Sequence, residues 1–271
     1  MVRALTWNVF HGRDFPPDPA LLTKRSRALR LTERNATHAQ VNRDLTGEFA
    51  TLLAATDWDV ALLQECPPRW AEPLAALCGA EAHRALTSRN SLAPLRRALT
   101  WLNPDLIASN EGGSNLTLVR GAVAERLELT VSPGPDPERR VLAFTRLESG
   151  VCVANLHASA GSALRARAES EVRTAAERSL EWAGGSALIL GGDLNVRPSQ
   201  SDIYRDLAER FDLHGPTADD SLDHLLVRGL ETVEPPTAWP PERREVAGPD
   251  GLRVRLSDHA PVSAVFRSPA G

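Results

Sequence analysis

Apolar and polar residues alternate with a period of two in short segments spread along the whole chain. Alternation places successive side chains on opposite faces of a strand, so each segment predicts a β-strand with at least one buried face. Residues 141–158 predict a hairpin that turns at Ser149 and Gly150. The predicted strands are RALTWNV, VALLQE, NLTLVR, RLELTV, VLAFTRLE, VCVANLHA, ALILGGD, DHLLVRG and APVSAVF.

Helical spacing of apolar residues predicts a long helix from Ser162 to Trp182, with Ser162 as its N-cap and Gly184 just beyond its end. Shorter helices are predicted over 45–55 and 70–77. Hairpins mixed with helical crossovers favour an α/β (α+β) fold with mixed sheets, and no low-complexity linker divides the chain. We therefore expect a single domain over residues 1–271.

Two stretches, 11–42 and 87–114, are polar and weakly periodic, so both are predicted to be long loops. Pro- and Gly-rich patches predict shorter loops, with hairpin strands beside the later ones. Long loops inside a compact domain are often functional. The patches are 133–137, 235–241 and 248–251.

Composition adds limits on the class of protein. The chain has 42% apolar and 24% charged residues and a net charge of −4, which gives no overall attraction to nucleic acid. No apolar run approaches the length of a membrane span, and the N-terminus lacks a signal-peptide pattern. We expect a cytoplasmic monomer. Its three cysteines show no zinc or disulfide spacing and are predicted to be small core residues.

Polar side chains stand at the ends of the predicted strands, where a core would exclude them. Singly, each has a structural explanation, since a buried Asn is usually a hydrogen-bonded amide and GGDLN has turn composition. Asp193 and Asn195 are two residues apart and would share a face if the backbone stays extended. The set comprises Asn8, Glu65, His157, Asp193, Asn195, Asp223, Asp258 and His259.

Together these groups indicate chemistry, because carboxylates, amides and imidazoles are costly to bury without partners. They become stable if they converge on a metal ion and an anionic substrate. Oxygen ligands with few other donors suit Mg²⁺, or Mn²⁺, which protein carboxylates also bind. A His–Asp pair suits a base that activates water.

The motifs TWNVF, LLQE, NLHASAG, GGDLN, LDHLLV and LSDHAPV, in this order, resemble the endonuclease/exonuclease/phosphatase superfamily with the deoxyribonuclease-I-like fold. The resemblance spans nearly the whole chain. It implies a four-layer αββα sandwich of two mixed β-sheets flanked by helices. It also implies a metal-dependent phosphoester hydrolase in which water attacks phosphorus.

The resemblance also assigns roles to residues. Glu65 would hold the divalent metal with Asn8 beside it, and Asp258 would contribute to the metal environment. Asp258 and His259 are neighbours on a predicted strand and face opposite ways, so His259 needs a partner from elsewhere. The resemblance pairs His259 with Asp223, whose carboxylate would fix the tautomer and raise the basicity of the imidazole.

Three further residues receive roles at the phosphate. Asp193 would orient the attacking water or assist the leaving group, Asn195 would contact the phosphate, and His157 would donate hydrogen bonds or a proton to it. The family's deoxyribonuclease branch implies a carboxylate partner for His157 on the strand NLTLVR, which contains no acid. Glu111 in the preceding loop is one candidate, and Asn115 is a candidate amide for the phosphate side.

The substrate stays open at this point. A nuclease is slightly favoured, and phosphatases or phosphodiesterases acting on inositol phosphates or on phospholipids such as sphingomyelin are alternatives. A catalytically inactive binding scaffold is an alternative of another class. Arginines in both predicted long loops could follow a nucleic-acid backbone or could equally be solvated surface: Arg25, Arg27, Arg30, Arg34, Arg96 and Arg97.

Overall fold

The computed structural model describes residues 1–87, 113–132 and 139–269, which form five α-helices and fifteen strands. The helices are α1 (Lys24–Leu29), α2 (Thr46–Ala55), α3 (Ala71–Cys78), α4 (Arg165–Ala183) and α5 (Ile203–Phe211). The strands are β1 (Val2–Asn8), β2 (Glu33–Arg34), β3 (Ala39–Gln40), β4 (Val60–Cys66), β5 (Glu81–Leu86), β6 (Ser114–Val119), β7 (Val123–Ser132), β8 (Arg140–Leu147), β9 (Cys152–His157), β10 (Leu188–Asp193), β11 (Asp223–Arg228), β12 (Glu231–Ala238), β13 (Glu245–Ala247), β14 (Arg253–Arg255) and β15 (Val262–Arg267).

Two mixed sheets dominate the described residues. The first has the strand order β12-β15-β1-β4-β6-β5, and the second has the order β11-β10-β9-β8-β7. β1 runs parallel to β4 and β9 runs parallel to β10, whereas the other neighbours in the two sheets are antiparallel. The carboxyl ends of each parallel pair therefore meet at one edge of their sheet.

The core is divided into layers that match the four-layer sandwich. Leu62 and Ile189 belong to the apolar layer between the sheets. Phe49 of α2 and Leu74 of α3 pack on the outer face of the first sheet, and Val172 of α4 is in the core layer outside the second. The predicted αββα architecture is confirmed. Among the described residues, no helix combines the length and apolar character that a membrane crossing would need.

All the strands predicted from alternation are present, and the predicted hairpin turns between β8 and β9. The three predicted helices are α2, α3 and α4, and Gly184 ends α4 in the left-handed conformation. The predicted N-cap Ser162 is wrong. A 3-10 turn over Ser162–Leu164 precedes the helix, which shifts the cap position to Leu164, and Leu164 has no side chain that could cap. Cys66, Cys78 and Cys152 are buried thiols, as predicted.

The predicted loop over 11–42 is wrong in part, because it contains α1 and the small hairpin β2–β3. Elements of two to six residues are too short to produce a readable period. Isolated bridges tie this segment to the C-terminal part of the chain through Asp14 with Leu256 and His38 with Arg253. Of the second predicted loop, only residues 87, 113 and 114 lie in the described part.

A buried polar contact joins the two sheets directly beneath the strand ends. Gln64 Nε2 donates to Asn155 Oδ1 at 2.9 Å and to Thr6 Oγ1 at 3.1 Å. These residues are fully buried, so their polar atoms favour one relative placement of β4 and β9. Glu65 follows Gln64, and His157 lies two residues after Asn155, so this contact positions both.

Gly192 allows β10 to approach β9 closely. Its φ is +139°, and a Cβ at this position would lie 1.8 Å from the Leu156 carbonyl oxygen. Any other residue would force the two strands apart. The close approach places Asp193 directly opposite His157 in the parallel register.

Candidate active site

Polar side chains from both sheets converge at the edge where the strands end. Asn8 ends β1 and Glu65 lies near the end of β4 in the first sheet. In the second sheet, His157 and Asp193 end β9 and β10, and Asp223 begins the antiparallel strand β11 opposite Asp193. His259 joins them from the bend before β15. We call this set, with His11 described below, the strand-end cluster.

Glu65 reaches the strand-end cluster through a bulge. The register of β4 against β6 shifts between Leu63 and Cys66, and Glu65 itself has φ +50°. A bulge re-aims a side chain that would otherwise follow strand alternation. The carboxylate lies 3.1 Å from His11 Nε2 and 3.8 Å from His157 Nε2.

Asn8 connects the carboxylates of the two sheets. Its Nδ2 donates to Asp193 Oδ2 at 2.9 Å, and its side chain also hydrogen-bonds Glu65. Its Oδ1, the atom that a metal would take, accepts from the Phe10 backbone N–H at 2.9 Å. In this arrangement Asn8 orients Glu65 and Asp193, and its predicted metal role stays a prediction.

His259 contacts Asp223 as the sequence predicts, with Nδ1 and Oδ2 2.6 Å apart. The expected strand context is wrong, however, because Asp258 and His259 lie in a bend and Ser257 has φ +60°. Ser257 Oγ donates to the Asn8 carbonyl at 2.6 Å and accepts from the His259 N–H at 3.1 Å. Trp7 Nε1 donates to the His259 carbonyl at 3.0 Å, so the bend is anchored to β1.

Asp258 lies in the same bend, next to His259. Part of the residue is exposed to solvent, and its Oδ1 lies 3.4 Å from Ser257 Oγ. Partial burial and the negative charge of Glu65 raise its pKa, although the positive charge of His259 opposes this. Asp258 therefore contributes to the negative potential near Glu65, and its predicted role as a ligand stays a prediction.

Three predicted residues remain, and two of them, Asn195 and Asn115, lie in the described part of the chain. Asn195 has φ +53°, so the backbone after Asp193 is not extended; its N–H donates to Asp193 Oδ1 at 3.2 Å and its Nδ2 to the Ala158 carbonyl at 3.1 Å. Asn115 is buried in β6 and donates to the Val141 carbonyl at 2.7 Å. Glu111 lies outside the described residues. The described carboxylates nearest to His157 are Asp193, at 3.5 Å, and Glu65.

The imidazoles of the cluster have opposite electrostatic environments. Burial lowers the pKa of His157 to about 3, so its ring is neutral at pH 7. Burial also disfavours the charged form of His259, but the hydrogen bond and charge of Asp223 outweigh it and raise the pKa to about 10. One imidazole is thus a neutral donor or acceptor and the other a cation.

The carboxylates differ in the same way. Burial raises the pKa of Asp193 to about 7, and the charge of Asp223 adds to this effect. For Glu65, burial is outweighed by electrostatic interaction with the imidazoles of His157 and His11 and by the Asn8 hydrogen bond, so its pKa is below the ordinary value. Glu65 is therefore a fixed negative charge at neutral pH, while Asp193 is suited to exchanging a proton.

The donor set fits a divalent cation. One ligand atom from each of Asp193, Asp223 and His259 lies within 4.8 Å of the others. Asp223 Oδ1 is buried and has no hydrogen-bond partner among the described residues, so it is available to a cation. Glu65 adds a carboxylate on the opposite sheet. Oxygen-rich sites with few imidazoles are typical of Mg²⁺ and Mn²⁺.

Sequence reasoning missed His11. The chain leaves β1 in a tight turn in which Phe10, His11 and Gly12 have φ of +48°, +53° and +78°. A Cβ on Gly12 would lie 2.3 Å from Trp70 Cζ2, so only glycine fits there. One signal in the sequence could have indicated this residue. His11 lies three residues after the strand-end Asn8 and is followed directly by Gly12.

The comparison with protein families agrees with this geometry. The profile of the endonuclease/exonuclease/phosphatase family matches residues 5–259, a range that contains the whole strand-end cluster. No curated protein sequence matches the chain.

Several solved structures share the fold over 98% of this chain. A mannosyl-6-phosphatase from Bacteroides thetaiotaomicron is 14% identical, is covered over 99% of its length and superposes with a TM-score of 0.63. A functionally unknown conserved protein from Enterococcus faecalis is 15% identical, with 99% coverage and a TM-score of 0.62. Truncated TDP2 from Caenorhabditis elegans is 14% identical, with 98% coverage and a TM-score of 0.59. At these identities the likeness concerns the fold alone.

The Asp223–His259 contact yields a test of concerted action. We expect Asp223→Asn and His259→Ala each to lower kcat by roughly 10²–10⁴-fold, and the double variant to be scarcely worse than His259→Ala. The reason is that the main effect of the carboxylate is to hold the imidazole through the 2.6 Å contact, and this effect is already lost in His259→Ala. Steady-state kinetics on a generic phosphoester measures this.

The matched control is the surface pair His214 and Asp212, whose side chains are in contact at 2.8 Å but exposed. His214→Ala and Asp212→Asn should leave kcat unchanged. Losses at Asp223 and His259 that multiply would show that the two residues act independently.

Proposed function

Because the chain belongs to the endonuclease/exonuclease/phosphatase family, whose members hydrolyse phosphoesters, we propose that it is an active, Mg²⁺- or Mn²⁺-dependent hydrolase of phosphodiesters. The observation that carries the proposal is the intact strand-end cluster. Asp193 and Asp223 come from the second sheet, Glu65 comes from the first, and His259 comes from the bend before β15, so all meet at one edge. A drifted scaffold would have no need to retain these buried charges.

The geometry supports specific roles. When bound, the cation would stabilise negative charge on a phosphoryl oxygen and lower the pKa of the attacking water. Glu65, fixed as an anion, would hold that cation. Asp193, with Oδ2 3.5 Å from His157 Nε2 and 3.9 Å from His259 Nε2, is placed to accept a proton from water.

The imidazoles would stabilise the charge that develops on the phosphoryl oxygens. His259 is held through Nδ1 by Asp223, which leaves Nε2 directed towards Asp193 and the reacting group. Sequence reasoning proposed His259 as the base, but an imidazole paired with a buried carboxylate is better suited to donate a hydrogen bond. Neutral His157 would provide a second donor on the opposite side.

A cleft rich in arginine favours a nucleic-acid substrate. It begins at His11 and is also lined by Arg13, Arg27, Arg43 and Arg69. Part of this charge is neutralised, since Arg69 pairs with Asp44 at 2.8 Å and Arg43 with Glu48. This cleft has a volume of about 20 Å³, too small for a nucleotide, so a polyanion would contact its arginines and Arg25 of α1 at the surface around it. Arg34 pairs with Asp250, and Arg96 and Arg97 lie outside the described residues.

A phosphomonoester substrate is the second candidate. It is supported by the similarity of the fold to the Bacteroides mannosyl-6-phosphatase. Hydrolysis rates on DNA, RNA, inositol phosphates, sugar phosphates and sphingomyelin, each with Mg²⁺ and Mn²⁺, separate the candidates. Activity on none of them would favour the binding scaffold.

Glu65→Gln tests the role of the metal. We expect metal-dependent hydrolysis of bis-p-nitrophenyl phosphate to fall at least about 100-fold, because the fixed negative charge is lost while the shape is retained. Isothermal titration should show weaker Mg²⁺ binding. Glu209→Gln, an exposed change of the same kind on α5, should alter neither. Unchanged Mg²⁺ affinity and turnover in Glu65→Gln would remove Glu65 from the metal site.

The arginines of α1 and its C-cap test the nucleic-acid substrate. Replacing Arg25, Arg27 and Arg30 with Ala should weaken binding of single-stranded DNA and flatten the slope of log affinity against log salt by roughly 2–3. The control variant replaces Arg178, Arg205 and Arg210 on the outer helices and removes the same charge. Equal effects of the two variants, or a wild-type slope near zero, would instead indicate a small or lipid substrate.

A further inference from the structure

The contact between His11 and Glu65 is the feature of the cluster that the proposed roles leave unused. His11 Nε2 lies 3.1 Å from Glu65 Oε2, the carboxylate oxygen opposite to the one that faces His157. The ring is about one-fifth exposed and lines a small cavity of about 20 Å³ beside Arg13 and Trp70. We propose that His11 is a direct ligand of the divalent cation together with Glu65, and that its nitrogen makes the site prefer Mn²⁺ over Mg²⁺.

Both residues of this contact have an unusual backbone conformation. His11 and Glu65 each adopt left-handed φ, of +53° and +50°, a region that few non-glycine residues occupy. Such conformations persist only where the surroundings impose them, and they concentrate at functional sites. Here two left-handed residues from different elements bring their side chains into contact. This arrangement therefore indicates a functional contact.

The turn that carries His11 is fixed at several points. Asn8 Oδ1 accepts from the Phe10 N–H, and the Gly12 N–H donates to the Val9 carbonyl at 2.8 Å. Gly12 packs against buried Trp70 so closely that no side chain fits. His11 is thus presented by a rigid turn, which is what a metal ligand requires.

Gly113 leaves room for the ring beside Glu65. A Cβ at Gly113 would lie 3.7 Å from His11 Cε1, 3.5 Å from Glu65 Cα and 3.2 Å from Thr87 Oγ1. The distances to the imidazole and the bulge are those of ordinary van der Waals contact, and only the approach to Thr87 is tight. Gly113, the residue just before β6, therefore lies in direct contact range of both His11 and Glu65.

The distance suits adjacent ligands of one ion. Octahedral coordination with bonds of about 2.1 Å places neighbouring ligand atoms roughly 3 Å apart, close to the 3.1 Å observed between Nε2 and Oε2. Imidazole nitrogen is a softer donor than carboxylate oxygen and favours Mn²⁺ and later transition metals over Mg²⁺. A site built from Glu65 alone would lack this preference.

The inference rests on the proposed metal dependence, and spectroscopy of the bound ion tests it without reference to hydrolysis. Mn²⁺ is added at one equivalent to the metal-free full chain, and electron spin echo modulation from a directly bound ¹⁴N is recorded. The modulation should be present in the wild type and in His259→Ala and absent in His11→Asn. Asparagine tolerates the left-handed backbone, and thermal unfolding of the variant confirms that it is folded.

Affinity provides the second measurement. His11→Asn should lower Mn²⁺ affinity about 10-fold or more and Mg²⁺ affinity much less, so the preference for Mn²⁺ is lost. His214→Asn, an exposed histidine outside the cluster, should change neither value. If His11 only supported Glu65 through a hydrogen bond, both affinities would fall together and the nitrogen modulation, whether absent or present, would be the same in the wild type and in His11→Asn, which would overturn the proposal.

The outcomes separate this inference from the proposed function. Nitrogen modulation that depends on His11 in a protein without phosphoesterase activity would contradict the function and leave the ligand assignment intact. Activity lost in Glu65→Gln, together with nitrogen modulation that survives in His11→Asn, would overturn the ligand assignment alone. A wild-type protein that binds no Mn²⁺ would overturn the ligand assignment as well as the metal dependence.

Discussion

The hydrogen bond from Gln64 to Asn155 joins the two sheets directly beneath the strand-end cluster. It therefore fixes how the side chains of the two sheets are placed relative to one another in the site. Apolar packing between sheets is not directional, so it would tolerate small shifts of one sheet against the other. A fully buried amide pair does not, because a shift would leave its polar atoms without partners. The pair thus holds Glu65 in one sheet opposite His157 and Asp193 in the other.

The site also depends on backbone strain that the rest of the fold stabilises. Phe10, His11, Glu65, Asn195 and Ser257 all have left-handed φ, and all lie in or beside the strand-end cluster. Such conformations cost roughly 1–3 kcal/mol each. Hydrogen bonds from Asn8, Ser257 and Trp7 and the packing of Gly12 on Trp70 offset this cost locally. The strained backbone places the charged side chains precisely, but it lowers the stability of these turns.

Alternation and helical spacing were sufficient to predict the main strands and three helices, because long elements with buried faces leave periodic patterns. The sandwich was predicted through the resemblance of the motifs. The Asp223–His259 contact was also predicted, through the resemblance of the motifs. His11, the bend at Asp258 and the turn at Asn195 were not, because a left-handed non-glycine residue has no sequence signature. The short elements of residues 11–42 were missed because the contacts that stabilise them, such as the Asp14–Leu256 bridge, are distant in sequence.

Anomalous diffraction from crystals soaked in Mn²⁺ tests most directly whether the strand-end cluster is a metal centre. The arrangement predicts a strong peak within about 2.5 Å of a Glu65 carboxylate oxygen. Peaks confined to surface carboxylates, such as those of Asp250 or Glu209, or the absence of any peak at saturating Mn²⁺, would contradict a metal-dependent active site at this edge of the sandwich.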